Sequence, residues 1–347
     1  MPRDGALPPE RPTNAASSGV TLERRVLKAV MRRSDRPGLL YLAQWLAGLG
    51  ATGGLVWLTL GTVWVWPAVA LHGVLLSVPA YALSHETAHR TAFRTRWLNE
   101  AVLWITSLIY MEEPLHRRYT HTNHHSHTWH VGKDSQMPFD TPLDLKGWLA
   151  EVSGFALLRF HLAVLLRLGL GAYSPIMRTV TPPGELPRMT RNARLFLALY
   201  VLTGVAIAAG ATWLLWLLVL PRLLGAPVML LFTLIQHVEM REDSPSILES
   251  TRSFRTNWLG RFLYLNMNHH VEHHLYPQVP FHALPALSRQ LGNQLPEPDP
   301  GFFRTNLEVL SVVLRRSLGR NSAARSIRQA PHRVGDGGFE RVAQRTT

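Results

Sequence analysis

Two long stretches almost free of ionisable side chains, residues 38–84 and 194–237, restrict this 347-residue chain more than any other feature. About 20 apolar residues cover the hydrocarbon core of a bilayer, and each stretch has room for two such runs. The pattern predicts four spans, at about residues 39–59, 63–83, 195–213 and 214–236, in two hairpins whose connectors near residues 60–62 and 209–212 carry no charge. Backbone groups in lipid must be satisfied within the segment, so the spans are helices and the fold class is all-α membrane protein. Arg222, beside Pro221, interrupts the last span and either faces the bundle interior or marks a bend.

The remaining segments read differently. Residues 1–20, rich in Pro, Gly, Ser and Ala and without a signal-peptide pattern, are expected to be a disordered leader. Residues 21–37 form a basic amphipathic helix lying on the membrane surface, with Leu22, Val26, Leu27 and Val30 on one face and Pro37 as its stop. Residues 97–110 are too short to span, and residues 148–170 carry Glu151, Arg159, His161 and Arg167, so both read as interfacial helices. Residues 38–295 make one membrane domain, and residues 296–347 a C-terminal segment that is disordered after Gly319. Four spans put the N-terminus, residues 85–193 and everything after His237 on one face. Arginines crowd that face, which makes it cytoplasmic, as in a bacterial inner membrane.

Composition removes several classes. With no cysteine there are no disulfides, thiolate nucleophiles or iron–sulfur centres. No G-x-G-x-x-G or Walker string follows a plausible strand, so a bound dinucleotide or NTP is not expected. The net charge of +13 comes from arginines that flank apolar stretches, which fits loop retention beside anionic lipid better than nucleic-acid binding.

The chemistry lies in histidines. Nine of the 17 fall in three boxes plus one isolated position: His85 and His89; His121, His124 and His125; His270, His273 and His274; and His237 at the end of the fourth span. On a helix, positions i, i+3 and i+4 share a face, so each box is expected to present its imidazoles to one point. Two H-x-x-H-H strings arise by chance in roughly one sequence in a thousand of this length and histidine content, so unrelated surface histidines explain them poorly. Neutral imidazole ligates iron, zinc, copper or nickel. Nine rings exceed the three or four that one ion uses, which suits two ions with room for oxygen or water. Glu86 and Glu272, inside boxes, point away from the first histidine of each and read as partners of ligands or as surface charges.

Spans, H-x-x-x-H, H-x-x-H-H, spans, then Asn268-His-His-Val-Glu-His-His-Leu-Tyr-Pro277, in that order, resemble the membrane fatty-acid desaturase and hydroxylase family over about residues 38–295. The resemblance implies a four-span enzyme with a cytoplasmic helical cap holding an all-histidine di-iron centre (two Fe ions) that activates O2. It also implies that His237 is an additional ligand. In the acyl-CoA branch an asparagine lies one turn before that ligand; Thr233 stands there in this chain. Oxidising an unactivated alkyl chain needs a redox metal, which excludes zinc. The chain has no haem-binding, flavin or cysteine module, so electrons are expected from an external ferredoxin-like carrier with its reductase, drawn to the basic face.

The leading expectation is therefore O2-dependent desaturation of a fatty-acyl lipid. Hydroxylation or ketolation of an alkyl lipid, carotenoid or other apolar molecule is the alternative from the same site. A metal-ion transporter is a distant one, because the spans themselves offer only His72 and Arg222. His72 reads as a hydrogen-bonded helix residue. His116, His127, His130 and His269 read as neighbours of ligands or solvated rings, and His161, His282 and His332 have no partner pattern. Asp134, Asp140 and Asp144 read as turn formers.

Overall fold

The computed structural model describes residues 14–137 and 141–319. Its principal elements, in chain order, are α1 (Asp35–Thr59), α2 (Val65–Ala88), α3 (Arg96–Tyr110), α4 (Pro114–Ser126), α5 (Leu145–Ser153), α6 (Phe155–Gly169), α7 (Leu186–Ala208), α8 (Leu220–Leu234), α9 (His270–Leu275) and α10 (Phe302–Ser317). Among the described residues no strand forms; one isolated bridge joins Phe254 to Asp299. Helices α1, α2, α7 and α8, with short extensions, are long and apolar enough to cross a membrane.

Helix α2 is the hub, packing against α1, α3 and α8. Its apolar window is 67% buried, against 17% for the windows on α1 and α7, which turn most of their surface outward. In lipid, close helix approach needs small residues at the crossing. Gly73 on α2 and Gly225 on α8 supply them: a Cβ at Gly225 would strike the Gly73 carbonyl, and one at Gly73 the Pro221 carbonyl. Both helices then run to the same end of the molecule. Helix α1 starts at that end, where Asp35 accepts hydrogen bonds from the Thr95 N–H at 2.8 Å and its hydroxyl at 2.7 Å. Helix α7 starts there too, with Asn192 donating to Glu113 at 2.8 Å.

Several expectations change in detail. The second hairpin is not a packed pair: α7 lies chiefly on α6, and α8 chiefly on α2. Helix α7 begins at Leu186, well before the expected residue 195; Arg194 lies near that end and donates to the Gly169 carbonyl at 2.7 Å. The fourth span opens with a wider, π-type turn over Leu215–Val219, just before Pro221. Arg222 faces the interior: it donates to the carbonyls of Ile109 at 3.1 Å and Tyr110 at 3.4 Å, closing the C-terminus of α3, and sits 5.6 Å from the Tyr110 ring centre.

The segment expected as one interfacial helix is broken at Gly154, which adopts φ +81° and turns α5 from α6 by 65°. Residues 21–37 are not one helix either. A short helix, Arg24–Val30, is followed by a turn, and Pro37 belongs to the first turn of α1, where its missing N–H costs nothing. Most distinctly, residues 14–20 depart from the expected disordered leader. Asn14–Ser17 is helical, and Ala15 and Val20 are buried against Ile247, Val271 and Leu275. Burial of a few apolar side chains outweighs the weak propensity of a Ser/Gly/Ala sequence. The expected tail beyond Gly319 lies outside the described residues.

Replacing Gly225 with Ala is expected to destabilise the α2–α8 crossing by about 1–3 kcal/mol, the usual range for overpacking. Gly54→Ala, where a Cβ meets nothing, is expected to be neutral or stabilising. Thermal unfolding in one detergent compares the two; equal melting temperatures would contradict the packing role of Gly225.

Candidate metal centre

Each box sits on a helix end that points at one place. His85 lies in the last turn of α2 and His89 is its C-terminal cap. Helix α4 carries the second box; it starts where the Glu113 carboxylate accepts the His116 N–H at 2.6 Å and Pro114 takes the first helical position. Helix α9 carries the third box, and His237 follows α8. All nine expected histidines are buried and converge.

They do not converge box by box. His85, His89, His121, His125 and His273 form one group, and His124, His237, His270 and His274 a second; within each, one ring nitrogen per residue lies within 4.8 Å of all the others. Each H-x-x-H-H string is thus divided, its i and i+4 rings to one group and its i+3 ring to the other. The expectation that a box serves a single point is corrected. At i+4 a ring stacks one turn above i, whereas i+3 is rotated by about 60° to the side, which directs it into the neighbouring group. The groups abut, with His125 stacked on His274 at 4.2 Å between ring centres.

Hydrogen bonds on the outer side set which nitrogen faces inward. His124 Nδ1 donates to Asp134 at 2.8 Å, His237 Nδ1 to the Ser250 carbonyl at 3.0 Å and His121 Nδ1 to Gln136 Oε1 at 2.9 Å. His274 Nδ1 meets Thr128 Oγ1 at 3.1 Å. A neutral ring that donates from Nδ1 leaves Nε2 a bare lone pair. The Nε2 atoms of His237 and His274 each lie 3.1 Å from that of His270, and the Nε2 atoms of His121 and His273 each lie 3.1 Å from that of His125. An ion about 2.1 Å from two imidazole nitrogens at right angles holds them ~3.0 Å apart. His85, with neither nitrogen hydrogen-bonded, and His89 Nε2 are buried without protein partners. The donor set fits two metal ions.

Electrostatics agrees. Burial, joined by nearby cations, pulls His89 and His237 down to about 3, and holds His121, His125, His270, His273 and His274 well below the ordinary imidazole range. Burial alone would raise Asp134, but His124 and two backbone N–H groups keep its carboxyl below its usual value. Asp134 is therefore more than the turn former expected; it fixes a ring of the second group. Nothing in the spacing revealed it, because the turn over residues 127–134 folds back onto α4. Asn14 was equally hidden: its amide donates to the carbonyls of His125 at 2.7 Å and His274 at 3.2 Å, tying α4 to α9.

The other polar residues have defined places. Glu86 and Glu272 are buried, not surface charges. Glu86 accepts the Phe281 N–H at 2.9 Å, while Glu272 accepts from Ser253 at 2.6 Å and His269 at 3.0 Å, so both secure the loops around α9. His72 bonds Thr52 Oγ1 at 2.7 Å and the Leu217 carbonyl at 3.2 Å, the bland role expected. His116 pairs with Glu112 at 2.8 Å, and His161, expected without a partner, lies 3.3 Å from the Tyr110 carbonyl. His127 and His130 bond locally to Asn123 and the Thr128 carbonyl, and half-buried His282 belongs to neither group. Asp144 caps α5 as a turn former; Asp140 and His332 lie outside the described residues.

A cavity of about 130 Å³ opens onto both groups through His85, His121, His124 and His237, and extends between α5–α6 and α8 past Leu157, Phe160, Leu230 and Leu234. Thr233 lines it, although its hydroxyl donates to the Leu230 carbonyl at 3.1 Å.

Two outcomes are expected. Asp134→Ala and Asn14→Ala should speed metal loss to a chelator about 10- to 100-fold, the usual effect of removing a group that orients a ligand; unchanged loss rates would contradict both roles. In metal-depleted protein the buried rings of His89 and His237 stay neutral down to about pH 3, whereas unfolded histidine protonates near 6.5. Stability is complete above pH 6.5 and declines as pH falls toward 3. A melting temperature flat across that window would contradict the burial of neutral rings.

Comparison with known proteins agrees with this geometry. The family model described as fatty acid desaturase matches residues 65–306. The sn-1 oleoyl-lipid 12-desaturase of Arthrospira platensis is 23% identical, with 74% of this chain and 76% of that protein covered. The Delta(9) fatty acid conjugase-like enzyme of Dimorphotheca sinuata is 24% identical over 63% of this chain and 66% of its own length. Fatty acid conjugase FAC2 A of Calendula officinalis is also 24% identical, with 64% and 67% covered. With four apolar spans, two histidine groups and a family match over most of its length, this chain belongs to the fatty acid desaturase family, integral membrane oxidoreductases.

Proposed function

We propose that the two histidine groups hold two iron ions and that the protein desaturates the acyl chain of a membrane lipid at the expense of O2. The observation that carries this reading is the donor set: nine buried imidazoles in two abutting groups, facing a cavity whose far wall is apolar. His85, His89, His121, His125 and His273 would hold one ion, and His124, His237, His270 and His274 the other. Iron supplies the oxidising power that an unactivated C–H bond demands and that zinc lacks. The relatives named for oleoyl-lipid desaturation and fatty-acid conjugation support an acyl substrate over other apolar molecules.

The chain's own residues do the rest. Leu157, Phe160, Leu230 and Leu234 receive the alkyl chain and keep bulk water away. Trp129, stacked 5.5 Å from the His237 ring, holds that ring in place. Four spans return the chain to one side, so the histidines, the N-terminal arm and α10 share a face. The arginine-rich loops make it the cytoplasmic face, and they would receive the acidic external electron carrier expected for a chain with no haem-binding or flavin motif and no cysteine.

Expression in a host lacking the activity should yield a lipid lighter by two hydrogens; a product heavier by one oxygen would overturn desaturation in favour of hydroxylation. His124→Ala, His125→Ala, His273→Ala and His274→Ala should each abolish turnover, and full activity in two of them would refute the ligand assignment. Thr233→Ala should change turnover less than any of these. Reduction by an acidic carrier should slow as salt rises, and an unchanged rate would remove electrostatic docking.

A further inference from the structure

Helix α10 leaves a row of large apolar side chains outside the protein. At about 100° per residue, three faces follow one another round its axis. Thr305, Val309 and Val313 are buried, the two valines in the core that also holds Met229 and Phe232. Next come Phe303, Leu307, Leu314 and Leu318, within ~60° of one another; Phe303 is 80% exposed, Leu307 65% and Leu318 68%. Beyond them lie Arg304, Glu308 and Arg315, within ~40°, with Arg304 paired to Glu308 at 3.1 Å. Single exposed leucines are ordinary, but a contiguous row marks a surface that something apolar covers. The row is held outward. Arg316 grips both oxygens of Glu239 at 2.8 and 2.7 Å and donates to the Leu143 carbonyl at 2.6 Å, which fixes the helix about its axis.

Two contacts locate the row. The Phe302 ring centre is 4.2 Å from that of Phe232, in the last turn of the spanning helix α8, so α10 begins at the level where the hydrocarbon ends. Ser317, which stands between the buried face and the apolar row, accepts the Leu145 N–H at 2.8 Å, so the row lies on the side of α10 nearest α5. The outer surface of α5 and α6 is apolar as well, with Leu149 and Phe155 exposed. A short helix, Trp258–Leu263, repeats the pattern. Its Phe262 ring lies 5.2 Å from Tyr41, in the second turn of α1, while Trp258 and Leu259 are exposed. Exposed aromatic and leucine side chains beside arginines, level with the ends of spans, match the chemistry of a membrane–water interface.

We propose that α10 is an interfacial helix whose apolar row sinks into the acyl-chain boundary of the leaflet on the histidine side, with Arg304 and Arg315 left at the headgroups. Its partner is the lipid of the membrane that the spans cross, rather than another protein. In water the row would stay hydrated; in the boundary it is covered, while the charged flank keeps its contact with water. Arg316 joins this helix to Glu239, two residues after His237. The seat of α10 in lipid therefore also steadies the loop that follows that ring. The inference stands on the four spans and does not depend on which metal or reaction the histidines serve.

The chain has no cysteine, so a single cysteine can carry a nitroxide without background. Leu307→Cys, Leu314→Cys, Arg304→Cys and Arg315→Cys are labelled one at a time in the full chain, in nanodiscs of phosphatidylcholine and phosphatidylglycerol. Collisions with O2, which partitions into lipid, and with a nickel chelate, which stays in water, give the depth of each label. Labels at 307 and 314 should lie about 5–10 Å inside the headgroup boundary, and those at 304 and 315 at it or outside. A second measurement uses the unmodified chain: a phospholipid with a diazirine on its acyl chain should leave adducts on Phe303 or Leu307 after illumination, read by mass spectrometry. Nickel access at 307 and 314 equal to that at 304 and 315 would place the row in water and overturn the proposal. Shielding of 307 and 314 from both reagents, with no diazirine adduct on α10, would show that protein covers the row and overturn it equally.

Discussion

The structure depends on imidazole nitrogens that face one another without donors between them. Nine rings lie buried in two groups, with Nε2 atoms as close as 3.1 Å. Lone pairs directed at a shared centre repel, and burial removes the water that would otherwise separate them. The outer hydrogen bonds to Asp134, Gln136, Thr128 and the Ser250 carbonyl hold the rings in that arrangement. A cation at each centre would convert the arrangement from a liability into a source of stability, coupling metal binding to the fold.

The rest of the architecture serves that convergence. The glycine crossing brings α2 and α8 into contact and delivers His85, His89 and His237 to the same end. Helix α4 crosses beneath them, and α9, held by the Ser253–Glu272 bond and the Asn14 tie, completes both groups. Dividing each H-x-x-H-H string between the groups makes the two sites interdependent: a shift of α4 or α9 disturbs both at once. The break at Gly154 turns α5 from α6, and residues of both helices line, with α8, the cavity that opens onto the histidines.

Much of this was legible in the residues. Hydropathy placed four spans, and the spacing of histidines named eight of the nine rings that converge, because both signals are local and periodic; the ninth, His237, stands alone in the sequence and was indicated by the family resemblance. What escaped was set by tertiary contact. Asp134 reaches His124 through a turn, and Asn14 reaches two carbonyls from a segment whose composition reads as disorder. The partition of the boxes follows from helix rotation relative to a neighbour, which spacing within one helix does not record. Pro37 read as a stop because proline ends a helix from within, yet it also begins one, and the difference depends on where Asp35 is anchored.

Metal content tests the central claim most directly. Protein purified in mild detergent, with iron supplied during expression, should contain two iron ions per chain by elemental analysis, and its Mössbauer spectrum should be that of nitrogen-ligated, non-haem iron. A preparation that is fully folded and holds zinc, a single ion or no metal at all would contradict the assignment of two imidazole-ligated iron sites.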